Sequence, residues 1–101
     1  AVLQKRIKMQ AEILREGAAF VKKGGRLAYV TCSVFYEENE AQIEKFLKEN
    51  SNFMPCDPEQ LWQKHMNKNV LTPFFTAHGI LFAPHKSETD GFYLSLLRRH
   101  G

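Results

Sequence analysis

Cysteine is scarce in this sequence: two, Cys32 and Cys56, among 101 residues, with no C-x-x-C pair. That excludes a disulfide framework and the common zinc and redox motifs. A lone structural bridge is not expected in a chain without an export signal. The four histidines, His65, His78, His85 and His100, fall at no metal-ligand spacing, so no metal site is expected. No apolar run approaches the roughly 20 residues that cross a bilayer. No secretory leader is expected, because Ala1-Val2-Leu3-Gln4-Lys5-Arg6 runs straight into an amphipathic pattern. A cytoplasmic protein without membrane contact is the expectation. No repeat or low-complexity tract occurs. No glycine-rich turn leads from a strand into a helix. Lys23-Gly24-Gly25-Arg26 stands before a strand, which excludes a phosphate loop and leaves the chain without a visible cofactor site. The missing initiator Met marks the chain as an expected piece of a longer protein.

What is present is ordinary for a globular protein: 44% apolar and 25% charged residues, enough for one small domain over residues 1–101. A net charge of +3 tolerates an anionic partner such as RNA without demanding one. Lys86, Arg98 and Arg99 read as scattered surface charge. The aromatics are not clustered among basic residues as a single-strand stacking platform requires.

Periodicity predicts a helix over residues 1–23, with Leu3, Ile7, Leu14, Ala18 and Val21 on one face and Lys5, Lys8, Glu12 and Arg15 on the other. Lys22 and Lys23 suit its negative end, and Gly24 a left-handed cap. Arg26 to Thr31 reads as a strand. Its continuous apolar run, Leu27 to Val30, predicts cover on both faces, as in a parallel sheet. A second helix is expected over Glu37 to Lys48, with Ile43, Phe46 and Leu47 inward. Glu37, Glu38 and Glu40 read as its solvated, dipole-matched first turn. Phe53 to His78 is punctuated by Pro55, Pro58 and Pro73. A short helix opens at Asp57-Pro58-Glu59 and runs through Leu61, Trp62 and His65, and Met66 to His78 reads as loop. Strands follow at residues 80–82 and 92–97, joined by the polar link His85 to Asp90 with an Asp90-Gly91 turn, an antiparallel pair.

The chain is organised around Gly24-Gly25-Arg26-Leu27-Ala28-Tyr29-Val30-Thr31-Cys32-Ser33. A strand that delivers a cysteine at its carboxyl end, ahead of a helix, places it where open α/β sheets carry their chemistry. Cys32 is the candidate nucleophile, and the competing reading is a buried small hydrophobe at a strand end. Thr31 and Ser33 fit a role in fixing the backbone by local hydrogen bonds, and Asn39 in orienting the turn or capping the helix.

Gly24-Gly25-Arg26-Leu27 with Tyr29, then Thr31-Cys32-Ser33, Glu37-Glu38-Asn39-Glu40, and Thr89-Asp90-Gly91-Phe92-Tyr93 with Leu96, in this order, resemble the carboxyl-terminal part of the RNA 5-methylcytosine methyltransferases, the RsmB-like, Sun or NSUN proteins. The resemblance covers nearly the whole chain, with residues 54–78 the poorest match. It implies a Rossmann-like α/β methyltransferase sheet, of which this chain supplies the C-terminal portion: residues 26–31, about 80–83, and 92–97, one parallel strand plus an antiparallel terminal pair. It implies methylation of rRNA or tRNA, S-adenosylmethionine bound by earlier strands absent here, and Cys32 as the catalytic thiol. Thr31, Ser33 and Asn39 would position the substrate. The family's Pro-Cys motif precedes Thr-Cys, whereas Pro55-Cys56 follows it. No product-release role passes to Cys56, which reads as a small apolar loop residue. The isolated chain is expected to be inactive and to expose Leu27 to Val30 as an unpaired edge, open to self-association or rearrangement. The alternative is a non-catalytic RNA-binding or protein-interaction module that reuses the fold.

Overall fold

A computed structural model describes residues 2–33, 35–65, 71–84 and 91–101. The His85 to Asp90 link, with Lys86, His85 and the Thr89-Asp90 part of the last motif, lies outside the described residues, as does Met66 to Val70 of the expected loop. The elements are α1 (Val2–Ala19), β1 (Arg26–Thr31), a 3-10 turn (Tyr36–Glu38), α2 (Glu40–Glu49), β2 (Phe53–Pro55), α3 (Pro58–His65), β3 (Leu71–Phe75), β4 (Ile80–Pro84) and β5 (Phe92–Arg99).

The strands form one sheet in the order β1-β5-β4-β3, with β2 also on β5. β1 lies along one edge of β5, from Arg26 opposite Arg98 to Thr31 opposite Tyr93. On the other edge, β4 pairs with the start of β5 and β2 with its end, Phe82 opposite Phe92 and Phe53 opposite Arg99. Every pairing among the described residues is antiparallel. The expected antiparallel terminal pair is therefore present. β1 and β4 share a direction with β5 running between them, and the parallel neighbour of β1, expected among the strands this chain lacks, has no counterpart among the described residues.

Cover on both faces of β1 is corrected. Tyr29 is buried and Leu27 half-buried, but Ala28 and Val30 are exposed, Val30 by 58%. α1 and α2 cover one face only, through Leu14, Ala18, Ile43 and Phe46 against Tyr29, Tyr93 and Leu97. α3 lies on the opposite face at β4 and β5, where Trp62 packs with Ile80 and Phe82. Among the described residues, no such layer lies over Ala28 and Val30 of β1.

α1 stops at Ala19, short of Lys23. Phe20 and Val21 donate to the carbonyls of Gly17 and Ala18, tightening the last turn. Gly24 takes φ +84°, the left-handed region that a side chain resists, and donates to the Arg99 carbonyl at 2.7 Å. The double glycine thus turns the chain onto the end of β5, and Lys22 and Lys23 lie beyond the helix. The predicted second helix is split: the Tyr36–Glu38 turn comes first, and α2 starts only at Glu40. Gln42 ties the two long helices, its amide donating to the Ile7 carbonyl at 2.6 Å. β3 arises inside the expected loop. As the sheet's outer strand it accommodates Pro73, which has no N–H to give.

Candidate functional site

Cys32 follows the last residue of β1 and is exposed, so it is not the packed small residue of the competing reading. Its neighbours are pinned from the segment 36–39. The Thr31 hydroxyl donates to the Asn39 side-chain oxygen. The Asn39 amide donates back to the Ser33 carbonyl at 2.7 Å, and the Ser33 N–H points to the Thr31 hydroxyl at 3.3 Å. The Ser33 hydroxyl donates to Glu38 Oε2 and accepts the Phe35 N–H at 3.0 Å. Asn39 makes no side-chain cap bond to α2, although it occupies the cap position. Its side chain orients the turn and not the helix.

Glu38 is 1% exposed, and the solvated first turn is corrected accordingly. Arg6 of α1 donates to its two oxygens at 2.7 and 3.4 Å, and the Gln10 amide adds a bond at 3.2 Å. The Tyr29 hydroxyl donates to the Glu38 carbonyl at 2.6 Å. The Arg6 hydrogen bond, then the Ser33 hydroxyl, hold the Glu38 carboxyl below the usual range despite its burial. Burial, then the Glu38 charge, push Tyr29 up to about 12.

Glu40 is 6% exposed and makes a second knot. It accepts the Tyr93 hydroxyl at 2.6 Å, the Thr76 hydroxyl at 2.7 Å and the His78 N–H at 2.7 Å. This ties the start of α2 to the β3–β4 turn and to β5. Of the three acids, Glu37 alone stays exposed.

Cys32 opens onto a depression of about 700 Å³ whose walls include Arg6, Gln10, Ile13, Val30 and Phe35. A three-residue turn and the Glu38 carboxylate stand between Cys32 and the start of α2. Among the described residues, Glu40, Glu44 and His78 are the donors close enough to share a cation, all within 4.8 Å of one another. Both Glu40 oxygens are already taken by neutral donors. Cys56 is half-buried beside β5, its N–H on the Leu96 carbonyl at 2.8 Å. Arg99 is no free surface charge, because it donates to the Val21 carbonyl at 2.5 Å.

Sequence reasoning missed Arg6, Gln10, Glu38 and Glu40. One signal was available: Tyr29 and Tyr93 stand at inward strand positions, and a buried phenol needs an acceptor.

The family model described as 16S rRNA methyltransferase RsmB/F matches residues 2–98. A probable ribosomal RNA small subunit methyltransferase B of Bacillus subtilis is 37% identical over 93 residues, 92% of this chain and 20% of that protein. A ribosomal RNA small subunit methyltransferase B of Escherichia coli is 33% identical over 92 residues, 88% of this chain and 18% of that protein. The crystal structure of PH0851 superposes with a TM-score of 0.70 at 35% identity, over 92% of this chain and 19% of that one. The chain thus spans about a fifth of the length of the curated relatives it matches.

Proposed function

Since the chain belongs to the 16S rRNA methyltransferase RsmB/F family, we propose that it is the segment of an S-adenosylmethionine-dependent RNA cytosine-5 methyltransferase that supplies the attacking thiolate, Cys32. One observation carries this reading: an exposed thiol at the carboxyl end of a strand, with both neighbours hydrogen-bonded in place, opening on a depression of about 700 Å³.

Carbon 5 of cytosine is a poor nucleophile. The Cys32 thiolate adds to carbon 6, forming a carbon–sulfur bond and moving the ring's double-bond pair onto carbon 5. Carbon 5 can then accept a methyl group. Loss of its proton to a base restores the double bond and expels the thiolate. Bound S-adenosylmethionine supplies an electrophilic methyl group on a sulfonium sulfur. Its site is proposed to lie outside this chain, because no described strand runs into a helix through a glycine-rich turn. Thr31, Ser33 and Asn39 position the thiol. The RNA is proposed to be ribosomal and the setting cytoplasmic. No described helix is long and apolar enough to cross a membrane.

The test is a chimera in which this chain replaces the matching fifth of the Bacillus subtilis relative. Incubated with S-adenosylmethionine and RNA carrying 5-fluorocytidine, which has no proton to lose at carbon 5, it should form a denaturation-resistant RNA adduct. Cys32→Ala should abolish the adduct, and Cys56→Ala should leave it. Methylation that survives Cys32→Ala would favour the alternative, a non-catalytic RNA-binding or interaction module, which the net charge of +3 supports. The 101-residue chain alone should transfer no methyl group. Through β1, its edge strand, it should pair with a second copy.

A further inference from the structure

We infer that Glu38 is a positioning residue for Cys32: its carboxylate and that of no other described acid joins the Cys32 turn to a cation on α1, so that the thiol is held between fixed neighbours beside an internally neutral ion pair. The inference rests on the reading of Cys32 as nucleophile and adds two residues to it, Glu38 and Arg6.

The geometry has three parts. The residues before and after Cys32 are held by adjacent residues of one segment, Thr31 by Asn39 and Ser33 by Glu38. Ser33 has one hydroxyl proton, and it is committed to Glu38. The hydroxyl's lone pair takes the Phe35 N–H, so the side chain is fixed from both sides. Glu38 in turn cannot swing away. Arg6 and Gln10 hold its carboxylate from α1, and Tyr29 holds its carbonyl from inside the sheet. A staple that only joined α1 to the sheet would need neither Ser33 nor a charge. Gln42 already joins α1 to α2 with neutral groups.

The charges matter because the same depression receives the thiol. Among the described residues that line it, the charged ones are Arg6, on its rim at 49% side-chain exposure, and Glu38. Tyr29 and Cys32 are the other titratable groups there. While the pair is intact, a thiolate on Cys32 faces almost no net charge. Removing either partner leaves the other uncompensated at the place where the thiolate forms.

This gives a test with opposite signs. In the chimera carrying Cys56→Ala, the rate of iodoacetamide alkylation of Cys32, read by mass spectrometry of its peptide, is followed against pH. Glu38→Gln frees the Arg6 charge and should move the profile to lower pH. Arg6→Gln leaves the Glu38 charge unbalanced and should move it to higher pH. Each shift is expected on the order of half a pH unit, as for a partly screened charge nearby. Ser33→Ala keeps the ion pair and should leave the profile where it is. In the chimera, Glu38→Gln and Ser33→Ala should each lower kcat about tenfold while the KM for RNA changes less than about twofold. The double variant should lose no more than either single one, because both break the same contact. A purely structural role would move the two alkylation profiles together or not at all, and either result overturns the inference. So does an unchanged kcat in Glu38→Gln when Cys32→Ala is inactive. Methylation that survives Cys32→Ala would instead sink the nucleophile itself, whatever the alkylation profiles show.

Discussion

Gly79→Ala should be among the most damaging small substitutions in the chain. Gly79 sits in the turn between β3 and β4, where β5 passes close behind it. A Cβ there would lie 2.6 Å from the Leu94 carbonyl oxygen, 2.6 Å from the Tyr93 hydroxyl and 2.7 Å from the ring carbon that bears it. None of these atoms can give way cheaply. The carbonyl belongs to the backbone of a central strand, and Tyr93 is 1% exposed with its hydroxyl bonded to Glu40. Overpacking a well-filled site costs about 1–3 kcal/mol, and three immovable obstructions place this one at about 3 kcal/mol. A domain of this size has only roughly 5–15 kcal/mol in hand, so the melting temperature should fall by roughly 10–20 °C. Gly17→Ala is the matched control. Its Cβ would meet Leu27 Cδ1 at 3.4 Å, an ordinary contact, inside α1. It should stabilise by about 0.5–1 kcal/mol through helix propensity and reduced unfolded-chain entropy. Urea titration by circular dichroism, with the slope checked for constancy, reads both. A Gly79→Ala midpoint equal to wild type would refute the close approach. A Gly17→Ala loss as large as that of Gly79→Ala would refute the reasoning from local space.

Two pH effects follow from the buried knots. Tyr29 is pushed up to about 12, and Tyr93 is raised further by burial and then by the Glu40 bond. Phenols neutral in the fold add stability that is whole below the ordinary value of 10.0 and is lost as pH rises through their folded values. Their phenolate absorbance should therefore appear together with alkaline unfolding, and ionisation of all three tyrosines near 10.0 in a chain still folded would count against both contacts. Glu38 is the opposite case. Its carboxyl is held low by Arg6 and then Ser33, so it adds stability that is present above its ordinary value of 4.5 and is lost as pH falls through the lower folded value. Urea midpoints measured downward from pH 4.5 should fall less steeply in Glu38→Gln than in wild type, and parallel profiles would contradict the assignment.

The elements that carried a strong local signal were legible. The apolar stripe of α1, the apolar run of β1, the Pro58 start of α3 and the two terminal strands all stand within a few residues of their sequence limits. Each depends on neighbours close in sequence. The misjudged features depend on distant ones. β3 is a strand because β4 pairs with it, not because Thr72-Pro73 favours one. Glu38 and Glu40 look like a solvated helix start because acids suit that place, and nothing local announces Arg6, 32 residues away, or Tyr93, 53 residues away. The exposure of Val30 could not be read at all from a run that looks buried on both faces, since it reflects which faces α1, α2 and α3 happen to cover.

Two carboxylates, Glu38 and Glu40, therefore stand two residues apart, both nearly without solvent, each serving a different neighbourhood. Such groups are a poor way to gain stability. Desolvating a charge costs several kcal/mol, and an apolar group of the same shape would often serve as well. What a charge with converging donors does provide is a definite position, because one misplaced partner leaves it unsatisfied. Glu40 takes its donors from the β3–β4 turn and β5, and so fixes where α2 begins. Glu38 takes its donors from α1 and the Cys32 turn, and so fixes where that turn lies. Asn39, between them, is the residue that grips both sides of Cys32. The place of Asn39 is set on either side by a charge that tolerates little movement. The proposed role of Cys32, a thiol brought to one ring carbon, would need this kind of definition at the strand end, whereas an apolar staple would satisfy stability and leave the angle free.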